Sequence, residues 1–132
     1  MDIWYTGLFI NDPDKLTQLF SPKHERVFAH HSTIAFEPNS LDGLELGKYW
    51  NIKIIGRAID EKGDALLVEN PKSKNKHPHI TISCRKDIGP IYSNELLEKA
   101  IKNGTIIYFD NPFFIDAIEG YADHGGKTHL SS

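Results

Sequence analysis

Two histidines each precede a threonine by two positions, inside short stretches that are otherwise mostly apolar. His31 and Thr33 lie in the run HSTIAF, and His79 and Thr81 lie in the run HITIS. In a β-strand, residues two positions apart point to the same side of the sheet, so each imidazole shares a face with its own hydroxyl. The repetition of this pattern predicts one composite site rather than two separate ones.

An imidazole pair of this kind can perform acid–base chemistry on a phosphodiester. One neutral histidine can take a proton from water or a hydroxyl, while a protonated one gives a proton to the leaving oxygen near neutral pH. A threonine hydroxyl on the same face can donate to a non-bridging phosphoryl oxygen as charge develops there. The predicted catalytic residues are therefore His31, Thr33, His79 and Thr81. The sequence leaves open which histidine is the base and which is the acid.

Two further histidines adjoin the motifs and raise the question of a metal. His30 precedes His31 directly, and strand alternation predicts that it faces the opposite side and packs behind the site. His77 shares a predicted face with His79 at the entrance of its strand. Catalytic zinc requires three protein ligands, and neither motif contains a carboxylate. We therefore predict no metal and no cofactor.

Three further side chains are candidates for contact with substrate. Lys76 is the nearest to the second motif among the lysines of a polar surface loop, Lys72, Lys74 and Lys76, and could pair with a phosphate. Tyr5 and Tyr92 could stack on a nucleobase. Packing in the core is the alternative for each tyrosine.

Length and composition limit the classes of function. The 132 residues are 39% hydrophobic and 25% charged, which is typical of one soluble domain, here expected over residues 1–132. A net charge of −3 and a pI of about 6.1 argue against a long track for duplex nucleic acid but allow a small nucleotide or an RNA end. No signal peptide or membrane span is visible, and the single Cys84 excludes an internal disulfide. We expect a cytoplasmic location, in a cell or an infected host cell, and leave the oligomeric state open.

The hydrophobic pattern predicts about seven strands and two helices. The predicted strands span residues 3–10, 27–36, 49–59, 64–69, 78–85, 105–109 and 113–121. The predicted helices are 13–20, capped by Asp12, and 94–102, capped by Ser93 and ended by Asn103 and Gly104. The strands and helices do not alternate strictly, so the expected class is α+β. Residues 123–132 are expected to form a flexible tail.

Four segments of the chain resemble the 2H phosphoesterase superfamily, which is named for two His-x-Thr/Ser motifs in one small domain. They are YTG at 5–7, AHHSTIAF at 29–36, PHITIS at 78–83 and YSNEL at 92–96, and they look closest to the short Swiss Army Knife RNA-repair-like branch. The resemblance implies a bilobal fold in which each of two α/β lobes supplies one motif to a central cleft. It also implies metal-independent cleavage of cyclic phosphodiesters or of 2′–5′ or 3′–5′ bonds. The motif histidines are only 48 positions apart, fewer than in the larger RNA-ligase-like members, which implies a more open cleft.

Three hypotheses on function follow. The first is a metal-independent phosphodiesterase that acts on a 2′,3′-cyclic phosphate, on a nucleotide or at an RNA end, as in RNA repair. The second is hydrolysis of cyclic di- or oligonucleotide signals, as in small viral members of the superfamily that block host defence (anti-CBASS enzymes); the small size and the lack of a basic track fit it at least as well. The third is a non-catalytic nucleotide-binding module, against which both intact motifs argue.

Overall fold

The computed structural model describes residues 2–131, in which two helices pack beside one eight-stranded antiparallel sheet. In chain order the elements are β1 (Tyr5–Ile10), α1 (Pro13–Leu19), β2 (Arg26–Val27), β3 (His31–Phe36), β4 (Tyr49–Ile59), β5 (Gly63–Glu69), β6 (His79–Cys84), α2 (Tyr92–Asn103), β7 (Ile107–Ala122) and β8 (Thr128–His129). The strand order is β2-β6-β5-β4-β7-β1-β3, with β8 paired to β7. The expected α+β class is confirmed. No helix in residues 2–131 is long and apolar enough to cross a membrane.

The sheet curves until its two ends meet. β3 lies at one end of the strand order and β6 lies next to the other end, yet the two strands pack against each other. The link between β2 and β3 makes the junction: the N–H of Ala29 donates to the carbonyl of Thr81 at 2.8 Å, and the next carbonyl, that of His30, accepts from Ile10 of β1 at 2.9 Å. The link thus changes its hydrogen-bonding partner from β6 to β1 within two residues. This crossing brings the two motif strands together.

A backbone turn at Ala29 divides the strand that the sequence predicts over 27–36. Ala29 has a φ of 59°, in the left-handed region that residues with a Cβ adopt at a cost. The prediction of one continuous strand is wrong, because β2 pairs with β6 whereas β3 pairs with β1.

Alternating residues of β6 separate the core from the motif. Ile80 and Ile82 are fully buried in the main hydrophobic cluster of the sheet. His79 and Thr81 point to the other face, where Thr81 meets α2. A second cluster fixes α2 over the neighbouring strands and consists of Ala58, Ala65, Leu67, Leu96, Leu97 and Ala100.

The helix ends confirm two predictions and correct a third. The Asp12 carboxylate caps α1 by accepting from the N–H of Lys15 at 3.1 Å, and Gly104 ends α2 with a φ of 69°. Ser93 is not a cap, because α2 begins at Tyr92, two residues before the predicted start at residue 94, and Ser93 therefore lies inside the helix. Ser93 is instead buried in the first turn, with its hydroxyl 2.7 Å from that of Thr81.

The C-terminal part of the chain is more continuous than predicted. The two strands expected over 105–109 and 113–121 form the single strand β7, because it pairs with β4 on both sides of a register shift. Part of the segment expected to be a flexible tail is paired as well, since β8 lies against β7 and His129 stacks on Tyr121 at 4.4 Å. Ser132 lies outside the described residues.

A buried carboxylate ties β4, β5 and β6 together. Asp64 of β5 is fully buried and accepts from the Arg57 guanidinium at 2.8 and 2.9 Å. It also accepts from the Ser83 hydroxyl at 2.9 Å and from the N–H of Lys23 at 3.1 Å. A charge that is buried with so many partners stabilises the fold only while all of them are present.

We predict that Asp64→Asn lowers the free energy of unfolding by about 3–5 kcal/mol, because it leaves the Arg57 guanidinium without its counter-charge. Urea denaturation measures the change. Asp87→Asn is the matched control: Asp87 pairs with Arg85 at 2.7 Å in an exposed position, so the urea midpoint should stay unchanged. Equal midpoints for the two variants would contradict the structural role of Asp64.

Candidate active site

The first motif occupies the start of β3. His31 is the first residue of this strand and is partly buried. Its Nε2 lies 3.1 Å from Oγ1 of Thr33, which places imidazole and hydroxyl on one side of the strand. The pair can therefore reach one small group together.

Tyr5 of β1 packs directly on His31. The two rings stack with centroids 4.4 Å apart, and the Tyr5 hydroxyl lies 3.4 Å from Nδ1 of His31. Burial raises the pKa of Tyr5 to about 12, so the hydroxyl keeps its proton. Tyr5 also stacks on Phe9 at 5.9 Å and is only 9% exposed. The ring surface that was expected to take a nucleobase is thus covered by the protein's own side chains.

His30 lies beside the motif and not behind it. Its ring stacks on His31 at 4.6 Å, its Nδ1 contacts Nδ1 of His31, and the residue is exposed. The prediction of the opposite face is wrong because strand alternation does not yet apply at His30: β3 begins one residue later, after the turn at Ala29.

The second motif is more deeply buried than the first. His79 is 8% exposed, and its Nδ1 lies 2.9 Å from the carbonyl oxygen of His77. Because a carbonyl only accepts, Nδ1 carries the proton of the neutral ring, and Nε2 keeps its lone pair. The Thr81 hydroxyl forms a hydrogen bond with the hydroxyl of Ser93 and donates to the carbonyl of Pro90 at 3.3 Å. Its proton is therefore engaged within the protein.

The electrostatics favour neutral imidazoles. Burial, followed by the neighbouring His30 and His79, lowers the pKa of His31 to about 3. Burial also lowers the pKa of His79, against a smaller raising effect of its hydrogen bond to His77. The hydrogen bonds of these two imidazoles within residues 2–131 involve no carboxylate. Both motif histidines are consequently uncharged at pH 7 in the free protein.

The structure places Lys76 near the second motif but pairs it with a carboxylate. Its ammonium group lies 3.1 Å from Glu98 of α2, and Nε2 of His77 lies 2.7 Å from the same carboxylate. The side chain of Lys76 is 75% exposed. It can therefore leave this pair, but it is not a free cation in the structure.

Tyr92 belongs to a different cluster from the motif histidines. Its hydroxyl donates to Asp60 in the turn between β4 and β5 and accepts from Lys99 at 2.8 Å. Its ring packs against Gly63, where an added Cβ would come within 2.9 Å of it. These contacts tie α2 to the turn.

Two residues of the site were missed at the level of sequence. Ser93 carried a signal, because it falls in the YSNEL segment, but the pattern was interpreted as a helix cap. Glu98 carried none, since its contact with His77 depends on how α2 lies over the sheet.

The described residues provide neither a metal site nor a reactive thiol. Among residues 2–131, no three or more His, Cys, Asp or Glu side chains are grouped so that they could hold a metal ion. Cys84 is buried, and burial raises the pKa of its thiol, so it stays protonated.

The comparisons with known proteins support the fold alone. No protein-family model matches the sequence, and no curated protein matches it. Solved structures do match, among them the crystal structure of a fungal RNA kinase, with a TM-score of 0.63 and 16% identity. The match covers 89% of this chain and 45% of that one, so this chain spans less than half the length of the similar structure. At this identity the similarity establishes a shared fold.

The low pKa of His31 predicts how stability depends on pH. The unfolded chain binds a proton at this histidine near pH 6.5, whereas the folded chain binds it only near pH 3, so stability is lost as pH falls through this window. The slope from His31 alone approaches about 1.4 kcal/mol per pH unit in the middle of the window. Urea denaturation of the wild type and of His31→Asn at pH 7 and pH 5 measures this pH dependence. The variant should lose less stability than the wild type between pH 7 and pH 5.

NMR titration of the imidazoles provides the control within one sample. The pKa of His124 is raised by Asp2 and Glu37, so its signal should titrate with a midpoint above pH 6.5. The signal of His31 should stay constant down to about pH 4. Titration of His31 near pH 6.5 would contradict the burial of its imidazole.

Proposed function

We propose that this protein is a metal-independent phosphodiesterase of the 2H type, which acts on cyclic phosphodiesters of nucleotides or RNA ends. The observation that carries the proposal is the packing of β3 against β6, which brings His79 near enough to His31 to affect its pKa, although β3 ends the strand order and β6 lies next to the other end. The similar solved structure is described as an RNA kinase, which supports a substrate with an RNA phosphate. We place the activity in the cytoplasm, in keeping with a single free cysteine.

The tautomer of His79 suggests its role. With its Nδ1 proton donated to the carbonyl of His77, Nε2 is free to take a proton from an attacking water. As the water oxygen bonds to phosphorus, the bond from phosphorus to the ribose oxygen breaks, and His31 gives its proton to that leaving oxygen. His31 is neutral in the free protein, so the phosphodiester anion must favour its protonated form on binding.

The two threonines stabilise the phosphoryl oxygens in different ways. The Thr33 hydroxyl contacts only the imidazole of its motif among the described hydrogen bonds. Thr81 is backed by Ser93, which can donate to Thr81 Oγ1 while the Thr81 proton turns from Pro90 to a phosphoryl oxygen. Tyr5 is a positioning residue, since its ring and hydroxyl fix the orientation of His31.

We predict that His31→Ala and His79→Ala each reduce turnover of a 2′,3′-cyclic nucleotide by at least about 100-fold, the usual contribution of one general acid or base. The double variant should be far from multiplicative, because both groups act in one transition state. Thr33→Val and Thr81→Val should each cost about 1–3 kcal/mol of transition-state stabilisation. Steady-state kinetics in EDTA measures all five variants.

His124→Ala is the matched control for these substitutions. His124 is exposed and binds Asp2 and Glu37, so turnover should stay at the wild-type rate. Full activity of His31→Ala, or complete loss of activity in EDTA, would overturn the proposed mechanism.

A chain of contacts makes Glu98 a second positioning residue. Its carboxylate holds the His77 imidazole at 2.7 Å, and the His77 carbonyl in turn fixes the ring of His79. We predict that Glu98→Ala lowers kcat by about 10- to 100-fold, as expected for a displaced catalytic group, with partial rescue by Glu98→Gln.

The pH profile separates this role from a merely structural one. The hydrogen bond to the His77 carbonyl raises the pKa of His79. Glu98→Ala should release His77 and break this bond, and the acidic limb of kcat/KM should therefore move to lower pH. Glu95→Ala on the same helix is the control and should leave both kcat and the profile unchanged. An unchanged acidic limb in Glu98→Ala would refute the positioning role.

Cyclic di- or oligonucleotides are the second candidate substrate. The charges near the motifs favour a small ligand: Lys76 is paired with Glu98, and Lys72 is paired with the buried Glu119. The net charge of −3 also favours a small ligand over a long nucleic acid. Initial rates on a 2′,3′-cyclic nucleotide, an RNA ending in that group, and a cyclic dinucleotide decide between the candidates. Binding of all three without turnover would instead establish a non-catalytic module.

A further inference from the structure

A hydrogen bond joins the first motif to the histidine before it. Nδ1 of His30 lies 2.5 Å from Nδ1 of His31. Two ring nitrogens come this close only with a proton between them, because two lone pairs or two N–H groups would repel each other. One Nδ1 atom therefore donates and the other accepts, so the two imidazoles hold this proton in common.

Thr33 favours one direction for this hydrogen bond. A neutral imidazole carries a single N–H group. When that group of His31 is at Nε2, it donates to Oγ1 of Thr33 at 3.1 Å, and Nδ1 is left to accept from His30. The Thr33 hydroxyl then keeps its own proton for a phosphoryl oxygen, as the proposed function requires. In this arrangement His30 is the donor and His31 is the acceptor.

His30 also links His31 to solvent. Within residues 2–131, the hydrogen-bond partners of Nδ1 of His31 are His30 and the Tyr5 hydroxyl, which lies 3.4 Å away. The pKa of Tyr5 is about 12, so this hydroxyl does not release its proton near neutral pH. His31 is partly buried, whereas His30 is exposed. A proton can therefore pass from water to His31 through His30.

We propose that His30 and His31 act as one proton-carrying pair, in which His30 takes up a proton from solvent and His31 delivers a proton to the leaving oxygen. His30 acts through His31 and does not touch the substrate. The inference rests on the proposed function for the reaction, and it extends the acid side of the site from one residue to two.

The transfer balances over the two rings. As the bond from phosphorus to the ribose oxygen breaks, that oxygen takes the proton from Nε2 of His31, and the electron pair of the N–H bond stays on Nε2. The proton between the two Nδ1 atoms moves onto His31, and Nδ1 of His30 recovers its lone pair. Both rings are then neutral, and one proton from solvent restores the charged pair. His79 meanwhile returns to solvent the proton that it took from the attacking water.

The surroundings of the pair explain why a substrate is needed to charge it. Burial lowers the pKa of His30 as well as that of His31. The titratable and charged groups that face the pair within residues 2–131 are Tyr5 of β1, His79 of β6 and Arg26 of β2, whose guanidinium lies over the Phe28 ring beside His30. These groups are neutral or cationic, so the phosphodiester supplies the negative charge that favours protonation of the pair.

His30→Asn tests the pair by steady-state kinetics. The asparagine amide can still donate to Nδ1 of His31 but cannot carry an extra proton, so His31 must then be protonated alone. For a 2′,3′-cyclic nucleotide, kcat/KM should fall by at least about tenfold at pH 7, and its basic limb should move to lower pH. His30→Gln is the second variant if urea denaturation shows that His30→Asn does not fold. A merely structural role would lower the rate and leave the basic limb in place.

His124→Asn is the matched control, because His124 is exposed like His30 but binds Asp2 and Glu37. Its rate and its basic limb should match those of the wild type. The pair is overturned if His30→Asn behaves as His124→Asn does.

Small molecules can replace the missing ring in His30→Ala. Imidazole should restore part of the lost rate, because it can bring a proton to Nδ1 of His31. Pyrrole is a ring of the same size that takes up no proton near neutral pH, and it should restore nothing. Equal rescue by both molecules would reduce His30 to a packing role and overturn the pair.

Nitrogen-15 NMR of the free wild type separates this inference from the proposed function. At pH 7 the spectrum should show His31 protonated at Nε2 and unprotonated at Nδ1, and the opposite tautomer would overturn the direction of transfer. Turnover that His30→Asn leaves at the wild-type rate would refute the pair and keep the phosphodiesterase. Absence of turnover in the wild type, together with the expected tautomer, would refute the phosphodiesterase and retain a proton-sharing histidine pair.

Discussion

The hydrogen bond from Ala29 to Thr81 is the contact on which the candidate site depends. It holds the link between β2 and β3 on β6, and the next carbonyl already belongs to the pairing with β1. Without this crossing, β3 at one end of the strand order and β6 next to the other end would lie apart, and so would the imidazoles of His31 and His79. The left-handed φ of Ala29 is the conformational cost of changing partners within two residues.

Desolvation then determines the state of the two imidazoles. Burial lowers the pKa of both histidines, and the nearby His79 lowers that of His31 further. In the proposed mechanism, a neutral His79 acts as the base, whereas a neutral His31 acts as the acid only after a bound anion has favoured its protonation. The same burial that is expected to lower the stability of the protein in acid would, under the proposed function, make protonation of His31 depend on the substrate.

The sequence could predict the elements but not the junction. The two motifs, the hairpin between β4 and β5 and the ends of both helices at Asp12 and Gly104 follow from local patterns, and the structure contains them. The break at Ala29 could not be predicted, because a β-branched and aromatic run with two different partners has the same pattern as one long strand. His30 was misplaced for this reason, since alternation gives a direction only within an unbroken strand.

Contacts between side chains of different elements could not be predicted from the sequence either. The sequence gives no sign that α2 would bring Glu98 to His77, or that Ser93 would bind Thr81 rather than cap a helix. The lysines illustrate the same limit. Spacing selected Lys76 as the phosphate contact, whereas the ion pairs of the folded chain occupy Lys72 and Lys76.

The placement of negative charge completes this arrangement. The two fully buried carboxylates, Asp64 and Glu119, each face a cation and several other donors, and both serve to hold strands or loops. The carboxylate nearest to the second motif, Glu98, reaches His79 only through the backbone of His77. A carboxylate in direct contact with His31 or His79 would raise the imidazole pKa and keep the ring charged without a ligand. Because no carboxylate among the described residues contacts either ring, the proposed function requires the phosphate of the substrate to favour the protonated form of one histidine.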